Sequence, residues 1–255
     1  MNPPSKIIGL SFLNETPEKI FEILNEQGGL MTVPSGPGIA SIPNEPLYYE
    51  ALLTSDWCIA DSGLMALVWN KISKNKVRRV SGLGFLNAFV VLYPKHQNQK
   101  LFLVNPTVTE QGANVAYFNS IGVQISEAYN YLAPMYAKNE ITDSILLRRL
   151  EDLKPHFIML NIGGGVQEVL GCWLKQNLSY KPAIICTGAA IAFKTGQQTQ
   201  IPVWVDKLYL GWLWRVIENP KKYGKRFWEA RKAVSLILKY REKQVYEIST
   251  PKITT

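Results

Sequence analysis

The sequence predicts an α/β fold, a mostly parallel sheet with helices on both faces, followed by a C-terminal helical appendage. Three observations predict it. Short apolar runs alternate with stretches of helical period through the first 199 residues. Hydrophobic residues make up 47% of the 255-residue chain and charged residues 19%, ample material for one large core. Near residue 200 the alternation gives way to a basic, aromatic stretch.

The elements follow in order. Apolar runs at 6–12, 57–60, 101–104, 123–126, 157–162 and 183–186 are expected as buried strands. Segments 17–27, 45–55, 62–71, 84–93, 107–120, 143–153 and 166–177 have the period of helices. Strand–helix alternation at this spacing points to parallel strands covered on both sides. Residues 201–218 are largely apolar and aromatic, and Asn219-Pro220 interrupts them. Residues 221–240 then look amphipathic, with Phe227, Ala230, Val234, Ile237 and Arg241 on one stripe. A boundary is placed between Gly196 and Pro202, dividing a core at 1–199 from an appendage at 200–255.

The net charge of +8 is concentrated in that appendage. Residues 200–255 carry 12 Lys and Arg against 5 Asp and Glu, which is +7 of the total, and four of the seven tryptophans. Such a tail suits nucleic acid, an anionic membrane or an acidic ligand. The N-terminus lacks a basic-then-apolar leader, and no window reaches about 18 apolar residues, so a secreted or membrane-spanning chain is not expected. Cys58, Cys172 and Cys186 are widely spaced in apolar surroundings, which suits buried thiols in a reducing compartment.

Four segments can carry chemistry. Ala60-Asp61-Ser62-Gly63 lies between an expected strand and helix, where ligands bind in open α/β sheets. There Asp61 is either a general base or a helix cap. In NIGGGVQE (161–168), a strand runs into three glycines and a helix, which suits a backbone-lined anion site or simply a tight turn. Glu168 occupies the place where a dinucleotide fingerprint needs its last glycine. Thr187-Gly188-Ala189-Ala190 permits close approach of a ligand or of another backbone. The tail, with Gly211-Trp212-Leu213-Trp214-Arg215 and the basic run after Pro220, suits bases, lipid headgroups or a packed helix. Outside these four, VRRVSG (77–82) is either a phosphate-binding turn or a pair of surface arginines. His96 and His156 are isolated, and no His, Cys and carboxylate cluster has metal-ligand spacing.

The order of these segments resembles the TagA/WecG/CpsF family of bacterial glycosyltransferases, glycosyltransferase family 26, over roughly residues 31 to 228. ADSG at 60–63 is similar to the family's P-D-G-x-G and RVSG at 79–82 to R-V-T-G. GGGVQE at 163–168 is similar to G-x-P-x-Q-E, and TGAAIAFKTG at 187–196 to x-G-A-x-F-D-F-x-x-G. GWLWRVIENPKKYGKRF at 211–227 is similar to E-W-x-x-R-L-x-x-E-P-x-R-x-x-R-R-Y. The departures are Gly165 for proline, Ala192 for aspartate, Gly211 for glutamate, and no asparagine soon after Thr32.

The resemblance implies a Rossmann-like catalytic core that works without a metal or other cofactor, and a tail that docks on the membrane. It implies an inverting transfer of an N-acetylmannosamine-like sugar or other hexose from a UDP-sugar donor to a lipid-linked sugar acceptor, a polyprenyl diphosphate. The product would enter cell-surface polysaccharide or glycolipid synthesis. Asp61, Thr32 and Arg215 match catalytic positions of the family. Gly163, Gly165, Gln167, Glu168, Gly188, Arg79, Lys222 and Arg226 match binding positions. The expected location is cytoplasmic, peripheral on the inner face of the cell membrane. An anionic membrane surface is the expected partner and nucleic acid is not, and a homo-oligomer stays open. The rivals are a catalytically silent sugar-nucleotide-binding protein of the same fold and a nucleic-acid-binding module.

Overall fold

The structure, a computed structural model, describes residues 2–96, 98–137, 141–188, 190–198, 205 and 211–246. The side chains of Trp212, Arg215, Lys222, Tyr223, Lys225, Arg226 and Phe227 lie outside that description, as does Trp204. The strands are β1 (Ser5–Ile7), β2 (Leu10–Phe12), β3 (Gly29–Thr32), β4 (Trp57–Cys58), β5 (Leu101–Asn105), β6 (Asn130–Leu132), β7 (Phe157–Leu160) and β8 (Ala183–Cys186). They form one sheet in the order β1-β2-β4-β3-β8-β7-β5-β6. The β1–β2 pair is antiparallel and the other pairs are parallel. This is a Rossmann-like α/β architecture.

Helices fill the crossovers. They are α1 (Pro17–Gln27), α2 (Gly36–Ser41), α3 (Pro46–Leu53), α4 (Gly63–Ile72), α5 (Gly82–Leu92), α6 (Val108–Ser120), α7 (Ser144–Leu153) and α8 (Val166–Asn177). The short α9 (Ala190–Lys194) is followed by α10 (Gly211–Glu218), α11 (Pro220–Ala230) and α12 (Lys232–Tyr240). Strand period sorts the core. Met31, Leu103, Met159 and Ile185 face α1 and α5, where Phe21, Phe85 and Phe89 pack with them. Their neighbours Leu30, Val104, Ile158 and Ile184 face the other way, onto Leu150 and Leu174 of α7 and α8. Successive residues thus serve opposite layers, so each central strand is buried along its whole length.

A third cluster closes the β1 edge, where Ile7, Phe12, Tyr49 and Trp69 meet Ala233 and Ile237 of α12. Beyond α12 the chain straps across this edge. Val245 N–H donates to the Tyr49 hydroxyl at 3.0 Å, and that hydroxyl donates to the Ile8 carbonyl at 2.6 Å. Residues 232–246 are therefore built into the same core.

Several expected elements differ. The run 6–12 is a hairpin rather than one strand, because Ile8 (φ 48°) and Gly9 (φ 84°) turn the chain. Residues 123–126 are not a strand. Val123 N–H bonds back to Phe118 O at the end of α6, and the edge strand β6 forms at 130–132. The central strand β3 and the short α2 were not anticipated. The amphipathic stretch 221–240 is two helices that divide at Arg231. In α12 the buried positions are Ala233 and Ile237, whereas Arg241 is exposed in a left-handed conformation. The three cysteines are free and buried.

Candidate active site

The carboxyl ends of β4, β3, β8 and β7 open into a cavity of about 860 Å³. Its walls are built where strands turn into helices. Ser35, Ser62 and Ser81 are the N-cap residues of α2, α4 and α5, their hydroxyls accepting from Gly38, Met65 and Gly84 N–H, and Gly165 is the N-cap of α8. All four caps line the cavity. Helix N-termini that border one space bring the positive ends of their dipoles to it. That arrangement suits an anion such as a diphosphate.

Asp61 sits on the cavity wall just past β4. It does not cap the helix that follows it, since Ser62 does that. Its Oδ1 instead accepts from Gly82 N–H at 3.1 Å, the first residue of α5. The segment entering α5 runs alongside, with Ala60 bridging Arg79 in parallel and Val80 N–H donating to Ala60 O at 3.1 Å. Arg79 Nε donates to the Asp61 carbonyl at 2.9 Å, so a carboxylate and a guanidinium border the same cavity from adjacent segments. On its other side Gly82 lets the turn after β8 pack close: a Cβ there would stand 2.9 Å from Thr187 O.

The glycine turn forms the opposite wall. Gly163 and Gly165 both have φ of 94°, a region that side chains disfavour. A Cβ on Gly163, Gly164 or Gly165 would meet nothing within 4 Å, so the turn offers bare backbone to the cavity. Glu168 is 1% exposed, and its carboxylate accepts from Gly165 N–H (2.6 Å) and from Gln167 Nε2 (2.9 Å). Burial pushes its carboxyl up to about 7, while those hydrogen bonds act against the rise. Gln167 is equally buried, and its Oε1 accepts from Gly188 N–H at 3.1 Å. The amide thus ties the turn after β7 to the turn after β8, where Gly188 has φ of 65°.

The cavity brings together Asp61, Arg79, Gly163, Gly165, Gln167, Glu168 and Gly188 from distant parts of the chain. Thr32 is not brought to it. Its side chain is fully buried, and its hydroxyl donates to Ser55 Oγ at 3.1 Å. The neighbouring Val33 and Ser35 line the cavity instead. Arg215 lies in α10 and Lys222 and Arg226 in α11; their side chains fall outside the described residues. The two helices themselves border the cavity through Gly211 and Val216 of α10 and Gly224, Trp228 and Ala230 of α11. Arg231 joins them, its guanidinium 3.6 Å from the centre of the Trp228 ring.

Other lining residues were missed from sequence. Tyr48 of α3 lines the cavity, and burial pushes its hydroxyl well above the usual tyrosine range. The loop Ser35-Gly36-Pro37-Gly38 was the available signal, a serine cap with proline in the first turn directly after an apolar run. A second cavity of about 270 Å³ adjoins the first, and Gly163 lines both. Ala192, where the resembled pattern has aspartate, lies in this smaller cavity.

No match is found among curated proteins. The model of the glycosyl transferase WecG/TagA/CpsF family matches residues 5–246, nearly the whole chain and every element that builds the cavity. The chain therefore belongs to the WecG/TagA/CpsF family of glycosyl transferases, and it is a glycosyltransferase.

Proposed function

We propose that the chain transfers a hexose, N-acetylmannosamine-like, from a UDP-sugar to a polyprenyl diphosphate-linked sugar at the cytoplasmic membrane surface, with inversion at the anomeric carbon. The observation that carries this reading is that Asp61 and the bare 163–165 turn line one cavity bordered by helix N-termini. The diphosphate rests against the turn and the first-turn N–H groups of α8. Asp61 takes the proton of the acceptor hydroxyl as its oxygen attacks the anomeric carbon. The bond from that carbon to the diphosphate breaks, and UDP departs with the electron pair. Backbone N–H groups and the guanidiniums of Arg79 and, from α10, Arg215 receive the charge that develops on the leaving oxygen. This arrangement makes no demand for a metal, so turnover is expected to survive chelation by EDTA.

Helices α10 and α11 form one wall of the cavity, and a lipid-linked acceptor would enter beside them. Exposed Leu213, Ile217 and Trp228 on these helices, with the cations of the tail, suit a headgroup layer. Among the described residues no helix is long and apolar enough to cross a membrane.

The test is a transfer assay with UDP-N-acetylhexosamines and a short-chain polyprenyl diphosphate-linked N-acetylglucosamine. Asp61→Asn keeps an oxygen for Gly82 N–H, so the variant should fold and melt like the parent. Its turnover should fall by about 100- to 10,000-fold, the usual range for a lost general base. Near-normal turnover in the variant would overturn the assignment. Retained UDP-sugar binding with no transfer by the parent to any acceptor would mark a silent binding protein instead.

A further inference from the structure

Tyr48 stands in the first turn of α3, with its ring packed in the core cluster at the β1 edge. The residue is 5% exposed, yet it lines the active-site cavity. Among the described residues none bonds its hydroxyl, and that oxygen is not one of those sealed from solvent. A buried phenol ordinarily finds a partner. The adjacent Tyr49 donates to Ile8 O, and Tyr131 and Tyr136 donate to Asp143. The Tyr48 hydroxyl is left for whatever fills the cavity.

Its surroundings fix where that hydroxyl acts. Gly38 of α2 lies beside it on the cavity lining, and a Cβ there would stand 2.6 Å from Tyr48 Oη, so glycine leaves the phenol its place. Burial keeps the phenol protonated, and the charges of Glu168 and Asp61 act in the same direction, so at neutral pH it is a donor. The hydroxyl is therefore close to both the carboxyl group at the glycine turn and the one assigned as base. A hexose whose anomeric carbon leaves a diphosphate at that turn for an oxygen beside Asp61 must occupy the space the two sites share. A polar group placed there orients the ring.

We propose that Tyr48 is a specificity-determining residue of the transfer, its hydroxyl donating to an oxygen substituent of the hexose. The inference rests on the donor and base of the preceding reading and deepens it. A sugar without an oxygen at that position leaves the phenol unpaired in an occupied cavity and is disfavoured for that reason.

Titration calorimetry on the full chain tests it with UDP-N-acetylmannosamine and with UDP, which lacks the sugar. Tyr48→Phe removes one oxygen that no described residue bonds, so the variant should melt like the parent. It should bind UDP-N-acetylmannosamine about 3- to 10-fold more weakly and UDP as before. Gly38→Ala crowds the same hydroxyl without altering Tyr48 and should give the same selective loss. That loss should vanish in the Tyr48→Phe background, where the nearest ring carbon, 3.4 Å from the new Cβ, is in ordinary contact. Equal losses for the two ligands in Tyr48→Phe, or none for either, would overturn the inference while leaving the donor reading in place. A Gly38→Ala loss undiminished in the Tyr48→Phe background would do the same, since it would owe nothing to the hydroxyl. Failure of both ligands to bind the parent would overturn the donor reading and this inference together.

Discussion

At Glu168 two opposing effects meet on one carboxyl group. Burial favours the neutral acid, whereas N–H donors on both oxygens favour the anion, and burial prevails to hold the group at about 7. The sign for stability follows. A carboxyl raised above its ordinary value binds its proton more tightly in the folded chain, so its contribution is whole below about 4.5 and lost as pH rises through about 7. Glu168→Gln has no such slope. Its fixed cost is one donor-against-donor contact with Gln167, since an amide offers a single acceptor oxygen. Thermal unfolding from pH 5 to pH 8 should therefore shift in favour of the Gln variant by about 2–3 kcal/mol. The same titration bears on the ligand, because the anion stands at the turn assigned to the diphosphate. UDP-sugar affinity should fall as pH rises through 7 in the parent and stay flat in Glu168→Gln; a UDP-sugar diphosphate does not itself titrate in that window. Parallel pH profiles for the two proteins would remove Glu168 from the site.

At the scale of elements, the turn between β7 and α8 offers two substitutions of different meaning. Gly165 has a positive φ, so Gly165→Val would strain the backbone and add bulk together. Gly164 carries no such restriction; it lines the cavity, and a Cβ on it would meet nothing within 4 Å. Gly164→Leu should weaken UDP binding by about tenfold or more, with the melting temperature held, if the diphosphate rests there. Unchanged affinity would move the phosphates elsewhere. This turn was legible because three glycines between an apolar run and a helical period leave few alternatives. The strand β3 was not, since Gly28 and Gly29 at its start look like the end of a turn, and four residues buried on both faces show no alternation. The edge strand β6 was misplaced for the opposite reason. Its sequence Asn-Tyr-Leu buries only Tyr131, whereas the more apolar 123–126 packs as loop beneath α6. The cap serines and Tyr48 depend on which strand ends adjoin, and strand order in a parallel sheet is not written in local pattern.

Across the whole molecule, the uneven charge of the sequence and the placement of the last three helices belong to one argument. Helix α12 is fixed to the body through Ala233 and Ile237 and by the strap at Val245 and Tyr246, whose hydroxyl bonds Ile42 O at 3.2 Å. Helices α10 and α11 lie N-terminal to that anchor, with α11 packed against α2 beside the active-site cavity. They therefore stand along the cavity wall. On α10, Leu213 and Ile217 are four residues apart on one face, 37% and 67% exposed, with no described core to meet. Burial of such a side chain in the headgroup boundary contributes about 1.5–3 kcal/mol when complete, and each nearby cation adds roughly 1 kcal/mol at an anionic surface. Leu213→Ser with Ile217→Ser should then lower co-sedimentation with phosphatidylglycerol vesicles by about tenfold or more. UDP affinity and melting temperature should be unchanged, since neither residue packs in the core. Raising salt should weaken vesicle binding of the parent further, by screening the cations that remain. Transfer to a polyprenyl-linked acceptor in vesicles should fall with binding, whereas transfer to a short-chain, water-soluble acceptor should not. If the double variant sediments with vesicles as the parent does, α10 is not the docking surface, and the acceptor reaches Asp61 by another side of the cavity.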